Sequence, residues 1–254
     1  MSDLFSLKGR VALVTGASRG LGFAMAEALA AHGAHVVLNG RTAATLNEAA
    51  GKLRDRGMAA SSSTFDVSER GAPEAAIQRI VEVQGRLDIL VGNAGIQHRV
   101  PVTEWQDEDF ERVLATNLTA CFSLAREAAR VMLPRKSGRI IFTGSITAIT
   151  ARPTVHAYIA AKSGLHGLTR SLAAELAKDG ITVNAIAPGY FATEMNTALL
   201  DDRTFSEWVE RRTPAGRWAK PEELGGAAVF LASDAASYVN GHTLVVDGGM
   251  SVTL

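Results

Sequence analysis

The sequence predicts an α/β fold: one doubly wound parallel sheet of about seven strands, helices on both faces, in a single domain spanning 1–254. Three observations predict it. Strand-like apolar runs alternate with helical stretches along the chain, a pattern that requires a parallel sheet with right-handed crossovers. The runs are continuous, as in Ile89-Leu90-Val91, which fits strands buried on both sides. The first run ends in a glycine cluster that turns straight into a helix. A chain of 254 residues is long enough to bury a large core.

Strands are expected near 10–15, 35–39, 60–65, 88–92, 139–144, 182–186 and 243–246. Between them, helices are expected near 21–32, 43–56, 69–84, 107–133, 155–178 and 221–232. The stretch 189–216 is the main irregular interruption. Lys plus Arg and Asp plus Glu both total 26, so no basic footprint for nucleic acid is expected. The first eight residues lack a secretory apolar core and no apolar run reaches membrane-spanning length, so the expected location is cytoplasmic, away from a membrane. The single cysteine, Cys121, excludes an intrachain disulfide and lies in the apolar helical stretch Leu118-Thr119-Ala120-Cys121-Phe122, which reads as core. No Cys/His cluster suggests a metal site.

The first strand runs Val11-Ala12-Leu13-Val14-Thr15 into Gly16-Ala17-Ser18-Arg19-Gly20-Leu21-Gly22. Such a turn presents backbone N–H groups and the positive end of a helix dipole to a pyrophosphate. Glycine serves there because a Cβ would block close approach of the backbone to phosphate. The spacing is G-x-x-x-G-x-G, so a glycine-rich turn at the first βα junction of some other α/β protein also fits it.

A second cluster adds chemistry. Tyr158 and Lys162 are four apart in a helical stretch, which puts them on one face about 6 Å apart at Cβ. A free phenol is a poor acid or base at neutral pH, but an ammonium one turn away, with an oxidised nicotinamide, favours the phenolate. Tyr-x-x-x-Lys alone also describes a solvated helix face. It follows a strand, 139–144, whose carboxyl end carries Ser145, where open α/β sheets bind ligands.

With these residues the chain resembles the short-chain dehydrogenase/reductase family over nearly its whole length. Residues 15–22 match its cofactor loop, Asn93-Ala94-Gly95 its Asn-Ala-Gly motif, Asn117 its helix asparagine, and Pro188-Gly189 its proline-glycine turn. Where the family usually has a first asparagine, Gly92 stands here. The resemblance implies a Rossmann-type oxidoreductase with Asn117, Ser145, Tyr158 and Lys162 as its catalytic set. It implies a dinucleotide held by Gly16, Ser18, Arg19, Gly20, Leu21, Gly22, Asn93, Ala94 and Gly95. Asp66 and Val67 would flank the adenine; Tyr158 and Lys162 would lie by the nicotinamide ribose; Pro188, Gly189 and Thr193 would frame the carboxamide. A mobile lid over the substrate is implied at 189–216. So is a homotetramer built on the long helices near 107–133 and 155–178 and on the C-terminal segment.

The cofactor's phosphate state is readable. The second strand ends Leu38-Asn39-Gly40-Arg41 without the carboxylate that binds ribose hydroxyls in NAD-preferring relatives. Arg41 and Arg19 converging on a 2′-phosphate favour NADP(H), although two solvated surface arginines would read the same way.

Segments outside the shared set, among them Asn93-Ala94-Gly95-Ile96-Gln97-His98-Arg99 and 187–195, resemble the family's gluconate 5-dehydrogenase branch. There a basic pair follows Ile-Gln; here His98 replaces its first member and Arg99 remains. The branch implies a sugar-acid substrate with Arg99 on its carboxylate and Ser145 and Tyr158 at its reacting oxygen. A loop arginine is also commonly a solvated surface group. The expected reaction is gluconate to 5-ketogluconate by hydride transfer. Reduction of a 3-oxoacyl thioester or other ketone, or a cofactor-binding regulator without turnover, are the alternatives. Trp105, Trp208 and Trp218 read as packing or lid residues, and His32, His35 and His166 as satisfied or solvated.

Overall fold

Period-two alternation in buried strands decides the layers. In β1 (Val11–Val14), Val11 and Leu13 point into one apolar layer and Ala12 and Val14 into the other, all four buried. The same division repeats in β2 (His35–Gly40), β4 (Ile89–Gly92) and β5 (Gly138–Thr143). With β3 (Ala60–Thr64), β6 (Ile181–Pro188) and β7 (Thr243–Val246), they form one sheet in a computed structural model that describes residues 4–253. The order is β3-β2-β1-β4-β5-β6-β7, every pair parallel. The order reverses between β1 and β4, which opens a crevice at their carboxyl ends.

The helices are α1 (Gly20–Ala31), α2 (Ala43–Asp55), α3 (Ala72–Gln84), α4 (Asp107–Leu114), α5 (Ala120–Met132), α6 (His156–Leu176), α7 (Thr197–Leu200), α8 (Arg203–Arg212) and α9 (Gly225–Ala232). One layer takes Met25 and Leu29 of α1, Leu46 and Leu53 of α2, and Val229 of α9. The other takes Ile77 of α3, Leu124 of α5 and Leu165 of α6.

At the amino ends of the strands, Asp88 is buried and accepts from Val11 N–H, from Arg86 and from Arg135. Burial by itself would raise its carboxyl; the hydrogen bonds from Arg86, Val11 and Arg135 outweigh that and hold it below the usual range. The charges at this end of the sheet are therefore neutralised within the fold.

Four expectations are revised. α3 starts at Ala72 instead of 69, because Gly71 is left-handed and Pro73 sits in the first turn, where its missing N–H costs nothing. The helix expected at 107–133 contains a five-residue π turn, Ala115–Thr119, between α4 and α5. The one expected from 221 opens as a 3₁₀ turn, Pro221–Leu224. Finally, 189–216 is largely ordered: Asp202 accepts from Phe205 N–H at 3.1 Å to cap α8, and Val209 is fully buried beside Ile146 and Met250. That segment hides its signal because α8 buries one side chain fully and leaves most of its polar residues in water. The expected domain limits at 1–3 and 254 lie outside the described residues.

Candidate active site

The crevice is pinned by one threonine. Thr15 Oγ accepts from the N–H groups of Asn93 and Ala94 at 2.9 and 3.0 Å and donates to Val91 O at 3.3 Å. Asn93 answers with its amide, donating to Thr15 O at 2.9 Å and to Gly16 O at 3.2 Å. Its amide oxygen accepts from Thr143 Oγ at 3.2 Å, and Lys162 Nζ donates to Thr143 O at 2.6 Å. The ends of β1, β4 and β5 and the middle of α6 are thus joined by one line of hydrogen bonds.

The glycine loop is pressed against that line. A Cβ on Gly22 would lie 2.2 Å from Gly16 O, and one on Gly16 would lie 2.9 Å from Ala94 Cα. Gly16 and Gly20 both have left-handed φ, at 61° and 59°. Gly20 meets nothing closer than Thr193 at 3.8 Å, so its face opens on a cavity. No side chain caps the first turn of α1 and no acidic residue lies in it. Its N–H groups and dipole are left for an anion, and the loop fits a dinucleotide pyrophosphate.

The cavity holds about 690 Å³. Gly16, Ser18, Arg19, Gly20, Leu21, Gly22, Asn39, Gly40, Arg41, Asp66, Val67, Asn93, Ala94, Gly95, Arg99, Ser145, Tyr158, Lys162, Pro188, Gly189 and Thr193 all line it. Asn117 does not. It is fully buried in the π turn and is bound to Ile96 through both its amide oxygen (2.8 Å to N) and its amide nitrogen (2.9 Å to O). It braces the Gly95–Gln97 wall from behind. Asn39 also differs from a free cofactor ligand, because its amide nitrogen donates to Ser63 O and Phe65 O and stitches β2 to β3.

At the β2 end, Asp66 accepts from Ser68 Oγ and N–H, which hold its carboxyl low; Arg41 lies 4.0 Å away with a mostly exposed side chain. Arg19 pairs with Glu194 at 2.8 Å across the cavity mouth. Beside β5, Ser145 Oγ accepts from Thr147 N–H at 3.1 Å and from Thr147 Oγ at 2.8 Å, so its own proton is free to point into the cavity. The Lys162 ammonium is 5.5 Å from the centre of the Tyr158 ring.

Arg99 donates to Gln97 through Nε at 2.9 Å and also through its terminal nitrogen. His98 turns away, 3.5 Å from Asp109 and edge-on to Trp105, outside the cavity lining. Gly92 is explained by Phe142: a Cβ there would lie 3.0 Å from its ring. Burial pushes the Cys121 thiol up to about 11, so it is a core residue. Trp208 and Trp218 pack with Tyr190, while Trp105 packs with His98 and Phe110. His32 and His35 bond Ala28 O and Ser61 Oγ, but the His166 Nε2 is buried without a hydrogen-bond partner among the described residues, wedged under Gly144. Sequence reasoning missed Gln97, Thr147, Arg152 and Tyr190 as lining residues. No local pattern hinted at Arg152, although its place between the serine strand and the tyrosine helix was available.

A family model described as enoyl-(acyl carrier protein) reductase, of the short-chain dehydrogenase group, matches residues 16–251. The chain belongs to the short-chain dehydrogenase/reductase family. Within that family it is 46% identical to the gluconate 5-dehydrogenase of Gluconobacter oxydans, covering 99% of this chain and 98% of the relative. It is 44% identical to the 5-keto-D-gluconate 5-reductase of Escherichia coli K12 over all of both chains. A gluconate 5-dehydrogenase from Burkholderia cenocepacia, solved in complex with NADP and tartrate, superposes with a TM-score of 0.96 at 45% identity over 99% of each chain.

Thr15→Val removes the acceptor of two N–H groups and should cost about 1–3 kcal/mol of stability, while Thr15→Ser, which keeps the oxygen, should stay near the parent. Urea unfolding of the three proteins measures this. Equal stability of parent and valine variant would show that the seam is not held by the hydroxyl.

Proposed function

We propose that this chain is an NADP(H)-dependent oxidoreductase that interconverts D-gluconate and 5-keto-D-gluconate. The observation that carries the reading is one cavity in which Ser145, Tyr158 and Lys162 stand beside an arginine, Arg99, that has no acidic partner among the described residues. The full-length likeness to gluconate 5-dehydrogenase and 5-keto-D-gluconate 5-reductase supports the same substrate, and the NADP complex of a relative supports the cofactor. Gluconate oxidation followed by NADPH absorbance, against a panel of acyl thioesters, tests the choice. Preference for thioesters would overturn it.

In the oxidising direction Tyr158 takes the C5 hydroxyl proton. Lys162, anchored on Thr143 O, places a positive charge behind the phenolate and keeps two further protons for ribose hydroxyls. Ser145 donates to the same substrate oxygen, because both of its lone-pair contacts come from Thr147. Bound NADP supplies the hydride acceptor, and NADPH the donor in the reverse direction. Asn117 acts as a positioning residue that fixes the Ile96 backbone and supports a water-linked path for the proton.

The segment 189–216 serves as the lid. The Arg19–Glu194 pair across the mouth and the aromatic group Tyr190, Phe205, Trp208 and Trp218 support that role. The working form is a cytoplasmic homotetramer. Exposed Phe122 on α5, exposed Val252 and the half-exposed edge strand β7 support an assembled state. No helix among the described residues is long and apolar enough to cross a membrane. A monomer alone in sedimentation at micromolar concentration would overturn the assembly.

Arg41→Ala should weaken NADPH by about 1.5–3 kcal/mol and leave NADH nearly untouched, since only NADPH carries the 2′-phosphate. Equal losses in fluorescence titrations with the two cofactors would remove Arg41 from the specificity site. Arg99→Ala should sharply impair gluconate and 5-ketogluconate turnover with NADPH affinity retained. Arg99→Lys should be defective too, because an ammonium cannot reproduce a planar two-donor grip. Unchanged gluconate kinetics in Arg99→Ala would remove the carboxylate contact.

A further inference from the structure

Arg99 and Arg152 reach the same cavity from two different loops, one after β4 and one between β5 and α6. The loops are tied together where Val100 N–H donates to Thr154 O at 3.2 Å. Thr154 has a φ of 72°, a left-handed conformation that is costly for a β-branched residue and is held by this junction.

Neither guanidinium has a carboxylate partner among the described residues. Arg99 rests on Gln97, and Arg152 lies 4.6 Å over the ring of Phe205 in α8. The acids that line the cavity are engaged elsewhere, Asp66 near Arg41 and Glu194 on Arg19. The two cations feel each other: burial lowers Arg99, and Arg152 lowers it further. Two half-buried like charges in one recess raise the energy of the empty site, and an anion between them relieves it. Stacking on an aromatic face leaves the edge of the Arg152 guanidinium for hydrogen bonds: part of it bonds the Tyr190 side chain, and its remaining N–H groups are those with which a guanidinium grips a carboxylate. Phe205 in turn packs on Tyr190 at 5.6 Å, so the position of Arg152 is set by the segment 189–216.

We propose that Arg152 is a specificity-determining residue: with Arg99 it forms a two-guanidinium receptor for the carboxylate of a hydroxy acid, held in place by Phe205 of α8. The identity of that hydroxy acid as gluconate rests on the function proposed above; the receptor itself does not. A neutral ketone entering the cavity leaves the two charges unrelieved, whereas a carboxylate satisfies both. The receptor therefore selects acids over uncharged substrates of the same size.

The test uses the full chain saturated with NADPH, with tartrate as the anionic probe read by quenching of Trp208 and Trp218, and 5-ketogluconate as substrate. Arg152→Gln should weaken tartrate about 30-fold and raise the KM for 5-ketogluconate by a similar factor, as expected for loss of a charge-assisted contact. NADPH affinity and reduction of an uncharged ketone should stay within about threefold of the parent. Phe205→Leu keeps the charge and removes the stacking face, and should give a smaller loss of the same kind. Tartrate affinity in Arg152→Gln within about twofold of the parent would overturn the receptor, as would equal losses on charged and uncharged substrates. Tartrate binding decides this inference whether or not gluconate is turned over; a parent enzyme that binds tartrate but does not oxidise gluconate overturns only the substrate reading.

Discussion

The line of hydrogen bonds from Thr15 through Asn93 and Thr143 to Lys162 is the constraint on which the site depends. It crosses the point where the strand order reverses, between β1 and β4. Adjacent parallel strands diverge there, and their loops turn to opposite faces. Without a tie, the glycine loop and the Asn93-Ala94-Gly95 wall would be free to part. The tie fixes the glycine loop and, through Lys162, the helix that carries Tyr158. The glycine loop and the Tyr158 phenol are thereby held in one frame, which is what the proposed reaction, dependent on orientation, requires. The glycines follow from the same constraint: a Cβ on Gly16 or Gly22 would strike this seam.

Charge is distributed unequally along the strands. At their amino ends the acids are matched: Asp88 lies between Arg86 and Arg135, and Asp234 joins Arg10 and Arg139. At their carboxyl ends the cations lining the cavity outnumber its carboxylates, with Arg99 and Arg152 both unmatched by an acid among the described residues. A chain with equal numbers of acidic and basic residues thus concentrates cations in its cavity while its formal net charge is zero. An anionic cofactor and an acidic substrate both suit such a cavity, and the field attracts them over a distance set by ionic screening.

The segment 189–216 connects these two features. It begins at the Pro188-Gly189 turn, where a Cβ on Gly189 would lie 2.7 Å from Asp247, so its root is fixed to the sheet. Its aromatic group covers the end of the cavity that carries Arg152, and Glu194 reaches Arg19 at the other. One segment therefore touches both the glycine loop and the proposed acid-binding end. Ile146, directly after Ser145, packs with Val209 of α8 and Met250, so the segment also rests against the serine.

The sequence by itself determined the sheet and pointed to residues that the fold brings to one cavity, Ser145, Tyr158 and Lys162 among them. Buried parallel strands are continuous apolar runs and crossover helices are periodic, so the inner strands were legible to within a few residues; the edge strand β3, Ala60-Ser61-Ser62-Ser63-Thr64, is polar and half-exposed, and its place followed from the alternation of elements instead. The grouping of Gly16, Gly20 and Gly22, and of Tyr158 with Lys162, was legible because spacing along one turn or one helix face places them together. Local patterns could not show which distant loops meet. Arg99 and Arg152 lie more than fifty positions apart and converge only because β4 and β5 are neighbours in the sheet. The burial of Asn117 behind Ile96, the engagement of Asn39 with β3 and the capped helix α8 were likewise decided by packing. Each depends on a partner remote in sequence, and a hydrogen bond or a buried face has no trace in the chain until the fold supplies that partner.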